Sequence, residues 1–468
     1  MTHVDERALW LVSILSLPMA AACGDSRGRG AAESALGGAG PDTAPGGASG
    51  GTATGGTTAA NGGRATAGAL GGGETGGAAT ATGGSATAGA AGALGGGETG
   101  GVAAGGRSIA GAAGAAGTAS TASGAPETTP TGYGQGTTGG GNAKPVAVAS
   151  MAALAAALDA YSGAGGLVLQ FTGKFDFSTI KDPCVQHTLP AQTVEIKNKS
   201  DISILGVDGS SANFGIRVVG DSHNVIIRNM TIGLTPGADA SDLVSIEGGS
   251  AGFPTDVWVD HNELFTSMAD CPGAGDTAFD GMIDVKKGAD DVTVSYNHLH
   301  DHHKMSLNGY TDSDDAVRHI TFHHNLIENV GSRTPLQRHG YSHLLNNYFL
   351  KVLTSGINVR MGGYALVEGN YFEEVKNPVT SRDSSAVGFW DLRSNNLASA
   401  ADVAKDNAYK ISWDAGSSGT VNATTWTTTA PYPVALGYSY HADPFQCVHD
   451  GLRTVVGAGK GLATLKCP

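Results

Sequence analysis

The chain has 468 residues and a formal charge of −14, and 73 of its residues are glycine. Residues 1–142 carry five arginines against eight acids, or −3, which leaves −11 on residues 143–468. A body this acidic repels nucleic acid and anionic membranes in bulk, so a polyanionic ligand would need a local cationic patch or a bound metal.

The first element in chain order is a targeting segment. "ALWLVSILSLPM" is an apolar run of 12 residues, too short to span a membrane. Small residues follow and end at Cys23, which resembles a bacterial lipoprotein signal over residues 1–23, with Cys23 lipidated. The alternative is a plain secretory signal, and either form implies export to a secreted or cell-surface location.

Residues 24–142 are nearly all Gly, Ala, Thr and Ser, with ten charged residues and no lysine. They lack the apolar side chains that would offset chain entropy, so 24–130 reads as a disordered linker. An identical stretch, "AGALGGGETGG", occurs at 67–77 and 91–101. It offers one leucine per copy and no face to stack, so it is a linker duplication and not a solenoid repeat. With Cys23 lipidated, such a tether would reach roughly 55–60 Å.

From about residue 143 the composition becomes globular, and the roughly 325 residues that remain are ordinary for a solenoid. Six runs share one grammar: "VIIRNMTI", "VWVDHNELF", "VTVSYNHLH", "ITFHHNLIE", "HLLNNYF" and "ALVEGNYFE". Each sets an apolar residue three before an asparagine, namely Asn229, Asn262, Asn297, Asn325, Asn347 and Asn370. Alternating β-branched and aromatic residues argue for short strands. No helical pattern of 10–15 residues lies between the runs, which excludes βαβ units. A β-sandwich would bring more Gly-Pro punctuation. The expected fold is all-β: a right-handed single-stranded parallel β-helix, with the six asparagines stacked as an internal ladder.

That geometry makes a statement about chemistry. Lys304 lies seven residues after Asn297 and Arg333 eight after Asn325, so the two cations should nearly stack on adjacent turns. The two longest intervals between asparagines hold Asp239, Asp242, Asp280 and Asp284. Acids and bases should therefore meet on one flank of the coil, and crowding of that kind suggests a ligand. Apart from Cys23 there are four cysteines, an even number that suits two disulfides.

"VWVDHNELF", "DTAFDGMIDVKKGADDVTVSYN" and "SRTPLQR" resemble, in that order, signature segments of the pectate lyases of polysaccharide lyase family 1. The resemblance runs from about residue 131 to 468. It implies a β-helix that cleaves polygalacturonate or pectin by β-elimination with calcium, giving 4,5-unsaturated oligogalacturonides. It also implies pairing of Cys184 with Cys271 and of Cys447 with Cys467. Carried over by position, the calcium carboxylates fall on Asp242, Asp280 and Asp284. The place two before Asp242, an aspartate in some members, is Ala240, and Asp239 is the candidate to reach in instead. Asp280 and Asp284 sit four apart, so a short turn could aim both inward, and calcium wants six to eight oxygens.

Arg333 matches the family's base. A guanidinium normally keeps its proton, so this role demands nearby positive charge, here Lys304, Arg338 and calcium. Lys304 and Arg338 would hold substrate carboxylates, with Lys286 and Arg360 as further subsite candidates. Asp260 and His261 read as structural. Adjacent histidines such as His302/His303 and His323/His324 point to opposite faces of a strand, unlike converging zinc ligands. Asp290-Asp291 and Asp314-Asp315 read as solvated turns and not as a glycosidase pair. Two other functions compete on the same fold: a pectin lyase for methyl-esterified polymer, and a non-catalytic surface binder of polysaccharide. No nucleic-acid or protein partner is implied, and the expected state is a monomer.

Overall fold

The computed structural model describes residues 122–238, 241–396, 408–417 and 419–468. The signal segment, Cys23, the duplicated stretch and Asp239 lie outside the described residues.

Among the described residues, strands form three sheets of ten, nine and seven, besides one two-stranded pair. The chain visits them in rotation. Thr255–Asp260 belongs to the sheet of ten, Glu263–Phe265 to the sheet of seven and Ile283–Lys286 to the sheet of nine. Val292–Ser295 then returns to the sheet of ten, parallel to the first strand, with Val257 opposite Val292. Repeating that circuit yields the right-handed single-stranded parallel β-helix.

Alternation along each strand explains why these residues coil. In Val292–Ser295, Val292 and Val294 are fully buried in the core, stacked over Val257 and Val259 and under Ile320 and Phe322. Phe349 lies flat on Phe372 with ring centroids 4.7 Å apart. The open end of the first turns is covered by the helix Met151–Ala160, capped by Ser150, which buries Leu154 and Leu158. No helix among the described residues is long and apolar enough to cross a membrane. The described body reaches upstream of residue 131, because Ala122–Gly124 pairs antiparallel with Thr464–Lys466.

The asparagine ladder exists with its register corrected. Asn262, Asn297, Asn325, Asn347 and Asn370 each pass a side-chain amide hydrogen bond of 2.9–3.1 Å to the next turn. The series ends on Asn395. Asn229 is not in it. Strand pairing sets Asp260 opposite Arg228, so Asn229 falls level with His261, one residue before the ladder, and Met230 takes the ladder position. There Asn229 has a φ of 58°, in series with His261, Tyr296, His324 and Asn346 at 50–52°. These left-handed residues turn the chain from one sheet into the next, a task asparagine tolerates.

Both disulfides form as the resemblance implied, Cys184–Cys271 and Cys447–Cys467. The first ties the turn at Pro183–Thr188 to the long loop before Ile283.

Asn297 is fully buried, accepts from the backbone and side chain of Asn262, and donates to Val259 and Asn325. Asn297→Leu orphans several of these groups at about 1–3 kcal/mol each. We expect chemical denaturation to show a loss of about 3 kcal/mol or more.

Candidate active site

The sequence-expected residues sit where the sheet of seven hands the chain to the sheet of nine. Asp242 lies two residues before Val244–Glu247, and Asp280 three before Ile283–Lys286, which carries Asp284 and Lys286. Lys304 ends the strand before Leu307–Asn308, and Arg333 follows the strand that leads to Leu336–Arg338. Arg360 ends Ile357–Arg360, with Arg338 beside it in the ladder. Successive turns thus deliver acids first and cations afterwards, all to one edge. Lys304 pairs with Ser332, so Arg333 lies one residue beyond the position stacked on Lys304.

Asp242, Asp280 and Asp284 form one cluster whose carboxylate oxygens lie within 4.8 Å of one another. Two of them are buried and held in place. Gly281 N–H donates to Asp242 Oδ1 at 3.0 Å, and Leu307 N–H donates to Asp284 Oδ1 at 2.9 Å. Lys286 bridges the pair, its Nζ 2.7 Å from Asp242 Oδ2 and 3.2 Å from Asp284 Oδ2. Burial, and then the charge of Asp242, pushes the Asp284 carboxyl above the usual carboxylate range. Burial opposes the Lys286 ammonium, yet Asp284 and Asp242 together hold it above the usual lysine range. Both shifts are upward, which favours the charged lysine and disfavours the charged acid, because one ammonium faces two desolvated carboxylates. An all-oxygen donor set with surplus negative charge fits a hard divalent cation.

Gly281 lets the acids converge. A Cβ there would stand 2.2 Å from Asp284 Oδ1, so any larger residue pushes that carboxylate out of the cluster. Nothing in the sequence reading pointed to Gly281.

The cations sit close enough to feel one another. Arg360 is lowered to about 10 by burial first and then by Arg338 and Arg333, against Asp383. Arg333 also bears electrostatically on Asp284, so its charge is felt both at the acid cluster and at Arg360. Its backbone is left-handed, with φ of 60°, its carbonyl accepts from Ser306 N–H at 2.9 Å, and the Thr334-Pro335 peptide that follows is cis. Arg338 is held by Asp312, with Nε 2.8 Å from Oδ1, and donates to Gly309 O at 3.0 Å.

Beneath it lies Arg318, fully buried, which donates to Arg338 O at 2.9 Å and to Asp314 Oδ1 at 2.7 Å. Asp314 is therefore no solvated turn. It accepts from Arg318 and from the backbone of Lys287 and Tyr310, and so braces the loop behind Arg338. Asp312 and Arg318 were not legible because their partners are distant strands and loops.

Among the described residues, two further groups could hold a metal, Glu263/His298/His300 and Asp290/Asp291/His319. Neither contains His302, His303, His323 or His324. Asp260 is fully buried, accepting from Ser295 Oγ at 2.6 Å and Arg228 Nε at 2.7 Å, in keeping with a structural role.

A pectate lyase family model matches residues 52–461. The chain belongs to the pectate lyase family. It is 44% identical over 311 residues to pectate lyase B of Dickeya chrysanthemi, covering 65% of this chain and 80% of that protein. Pectate lyase II from Xanthomonas campestris has a solved structure 56% identical, with a TM-score of 0.67 over 71% of this chain and 99% of that one. Pectate lyase C from Erwinia chrysanthemi, solved at pH 9.5 with 30 mM Ca2+, is 38% identical, with a TM-score of 0.67 over 73% and 99%. A lysine-for-arginine variant of pectate lyase C has been solved in complex with pentagalacturonic acid. The protein is a polysaccharide lyase, and its fold and disulfides are those the resemblance implied.

Removing Lys286 leaves two buried carboxylates facing each other. In chelator, we expect Lys286→Met to lose about 3 kcal/mol, the low end for breaking a buried pair, with a divalent cation restoring most of it. Thermal unfolding with and without the cation measures both.

Proposed function

We propose that this chain is a secreted calcium-dependent pectate lyase that cleaves (1→4)-α-D-galacturonan by β-elimination. One observation carries the reading: an oxygen-only acid cluster, Asp242/Asp280/Asp284, shares one edge of the coil with Arg333 and the row of Arg338 and Arg360. The solved relatives with calcium and with pentagalacturonic acid support it.

Asp242, Asp280 and Asp284 would hold calcium, with galacturonate supplying the remaining oxygens. When bound, calcium neutralises the substrate's C6 carboxylate and so makes the C5 hydrogen acidic.

Arg333 takes the C5 proton. The electron pair left on C5 forms the C4–C5 double bond as the C4–O4 bond breaks, and O4 leaves with the departing chain end. A guanidinium normally keeps its proton and acts as a base only where positive charge is dense. Arg338 and Arg333 both lower the Arg360 guanidinium, after burial, so these cations lie close together. Arg338 and Arg360, adjacent in the ladder, grip successive substrate carboxylates, with Asp312 setting the Arg338 fork. Lys304 binds on the turn before Arg333. Lys286, tied into the acid cluster, meets the substrate carboxylate nearest the metal.

The two disulfides support export, since they persist in oxidising compartments. Lipidation of Cys23 would keep the enzyme on the cell surface, and mass spectrometry of the mature N-terminus should find an acylated Cys23; an unmodified cleaved end refutes the anchor.

Polygalacturonate should give a calcium-requiring rise in the ultraviolet absorbance of the unsaturated product, abolished by chelator. In Arg333→Lys the rate should fall by at least about 10²-fold with calcium affinity and folding retained. A chelator-insensitive rise on methyl-esterified pectin would make it a pectin lyase instead, and no product at all would make it a binder.

A further inference from the structure

The outer face of the sheet of seven carries a second cluster, unlike the first in chemistry. Glu263 and His298 are opposite each other on adjacent turns, and His300 is two residues beyond His298 on the same face. Leu264 and Leu299 between them point into the core. One ligand atom from each of Glu263, His298 and His300 lies within 4.8 Å of the others, and the two imidazoles stack with ring centroids 4.2 Å apart.

Stacking alone would not demand a ligand. The decisive atom is His300 Nε2, which is sealed from solvent and makes no hydrogen bond; the nearest carboxylate oxygen, Glu263 Oε1, is 3.5 Å away. The other ring nitrogen, Nδ1, lies 2.8 Å from Asp301 Oδ2. Asp301 is in turn engaged by the side-chain amide of Asn329. That contact fixes the ring with Nε2 facing Glu263, the arrangement in which a carboxylate orients a metal-ligating histidine, and metal binding there displaces the proton that the two flanking carboxylates favour. A cavity of about 530 Å³ lined by His300, Asp301, Glu328 and Lys351 lies alongside.

We propose that Glu263, His298 and His300 form a binding site for a borderline divalent transition metal of the zinc class, distinct from the acid cluster. Two imidazoles and one carboxylate suit zinc, copper or nickel, whereas the three carboxylates on the other sheet suit calcium. The ligands come from two neighbouring turns, so the bound ion pins those turns together.

The test uses the full chain without a histidine tag, saturated with calcium so that the acid cluster is filled. Titration calorimetry should find one zinc per chain. His300→Gln should weaken binding by 100-fold or more, and Asp301→Asn by about 10- to 100-fold, the usual effect of losing an orienting partner. Asp280→Asn should leave zinc affinity unchanged, and Co2+ in place of zinc should show visible bands that His300→Gln abolishes. No stoichiometric zinc uptake by the natural chain would overturn the proposal. So would undiminished affinity in a folded His298→Gln/His300→Gln double variant; if that variant fails to fold, undiminished affinity in Glu263→Gln decides against the site in the same way. Lyase activity does not enter, so this inference and the functional reading fail separately.

Discussion

Everything in this molecule depends on the parallel ladder holding its register. In an open sheet, a slip of one residue would turn a strand inside out. Here the slip would also carry Asp284, Lys286 and Arg338 off the edge where they meet. The buried asparagines oppose it. Each donates to the turn after it and to a carbonyl of the turn before, as Asn297 does to Asn325 and Val259, so a displaced turn would strand amides in the core. Such groups are costly to leave unpaired.

With register secured, distance in sequence loses its meaning at the edge. Asp242 and Lys286 are 44 residues apart in sequence, yet Lys286 Nζ donates to Asp242 Oδ2 at 2.7 Å. The site is built from like charges that repel: two carboxylates desolvated together, and a row of arginines of which one is pulled below its ordinary range. Folding alone would not select either group. The coil tolerates them because each side chain stands on a strand end pinned from both sides, and because the acids and cations, kept on adjoining turns, partly offset one another. Rigidity that the core provides is thereby spent at the edge, in the way expected of a site preorganised for a charged ligand.

Much of this was legible beforehand, and the errors are informative. The apolar-x-x-Asn pattern located strands and turns, since alternation and side-chain size are local properties. It also admitted Asn229, which satisfies the spacing but serves as a left-handed corner, and it passed over Asn395, where the pattern "LRSN" continues the series. Spacing counts residues, whereas ladder membership depends on which backbone atoms face one another. The carboxylates and cations that meet at the edge were singled out by their spacing from the asparagines and by the family resemblance. Gly281, Asp312 and Arg318 were not, because a glycine that leaves room and a buried arginine that braces a loop carry no mark until their neighbours are known.

The amino-acid sequence by itself determined that strands would recur, that they would coil, and that acids from early turns would share a flank with cations from later ones. Tertiary structure alone decided which of those groups touch. Lys286, read from the chain with Arg360 as a further subsite candidate, became the bridge between Asp242 and Asp284, and Glu263, His298 and His300, unremarked in order, became neighbours. The physical reason is the same in both cases: a side chain's type sets what it can bind, but the register of stacked turns sets what lies within about 3 Å of it.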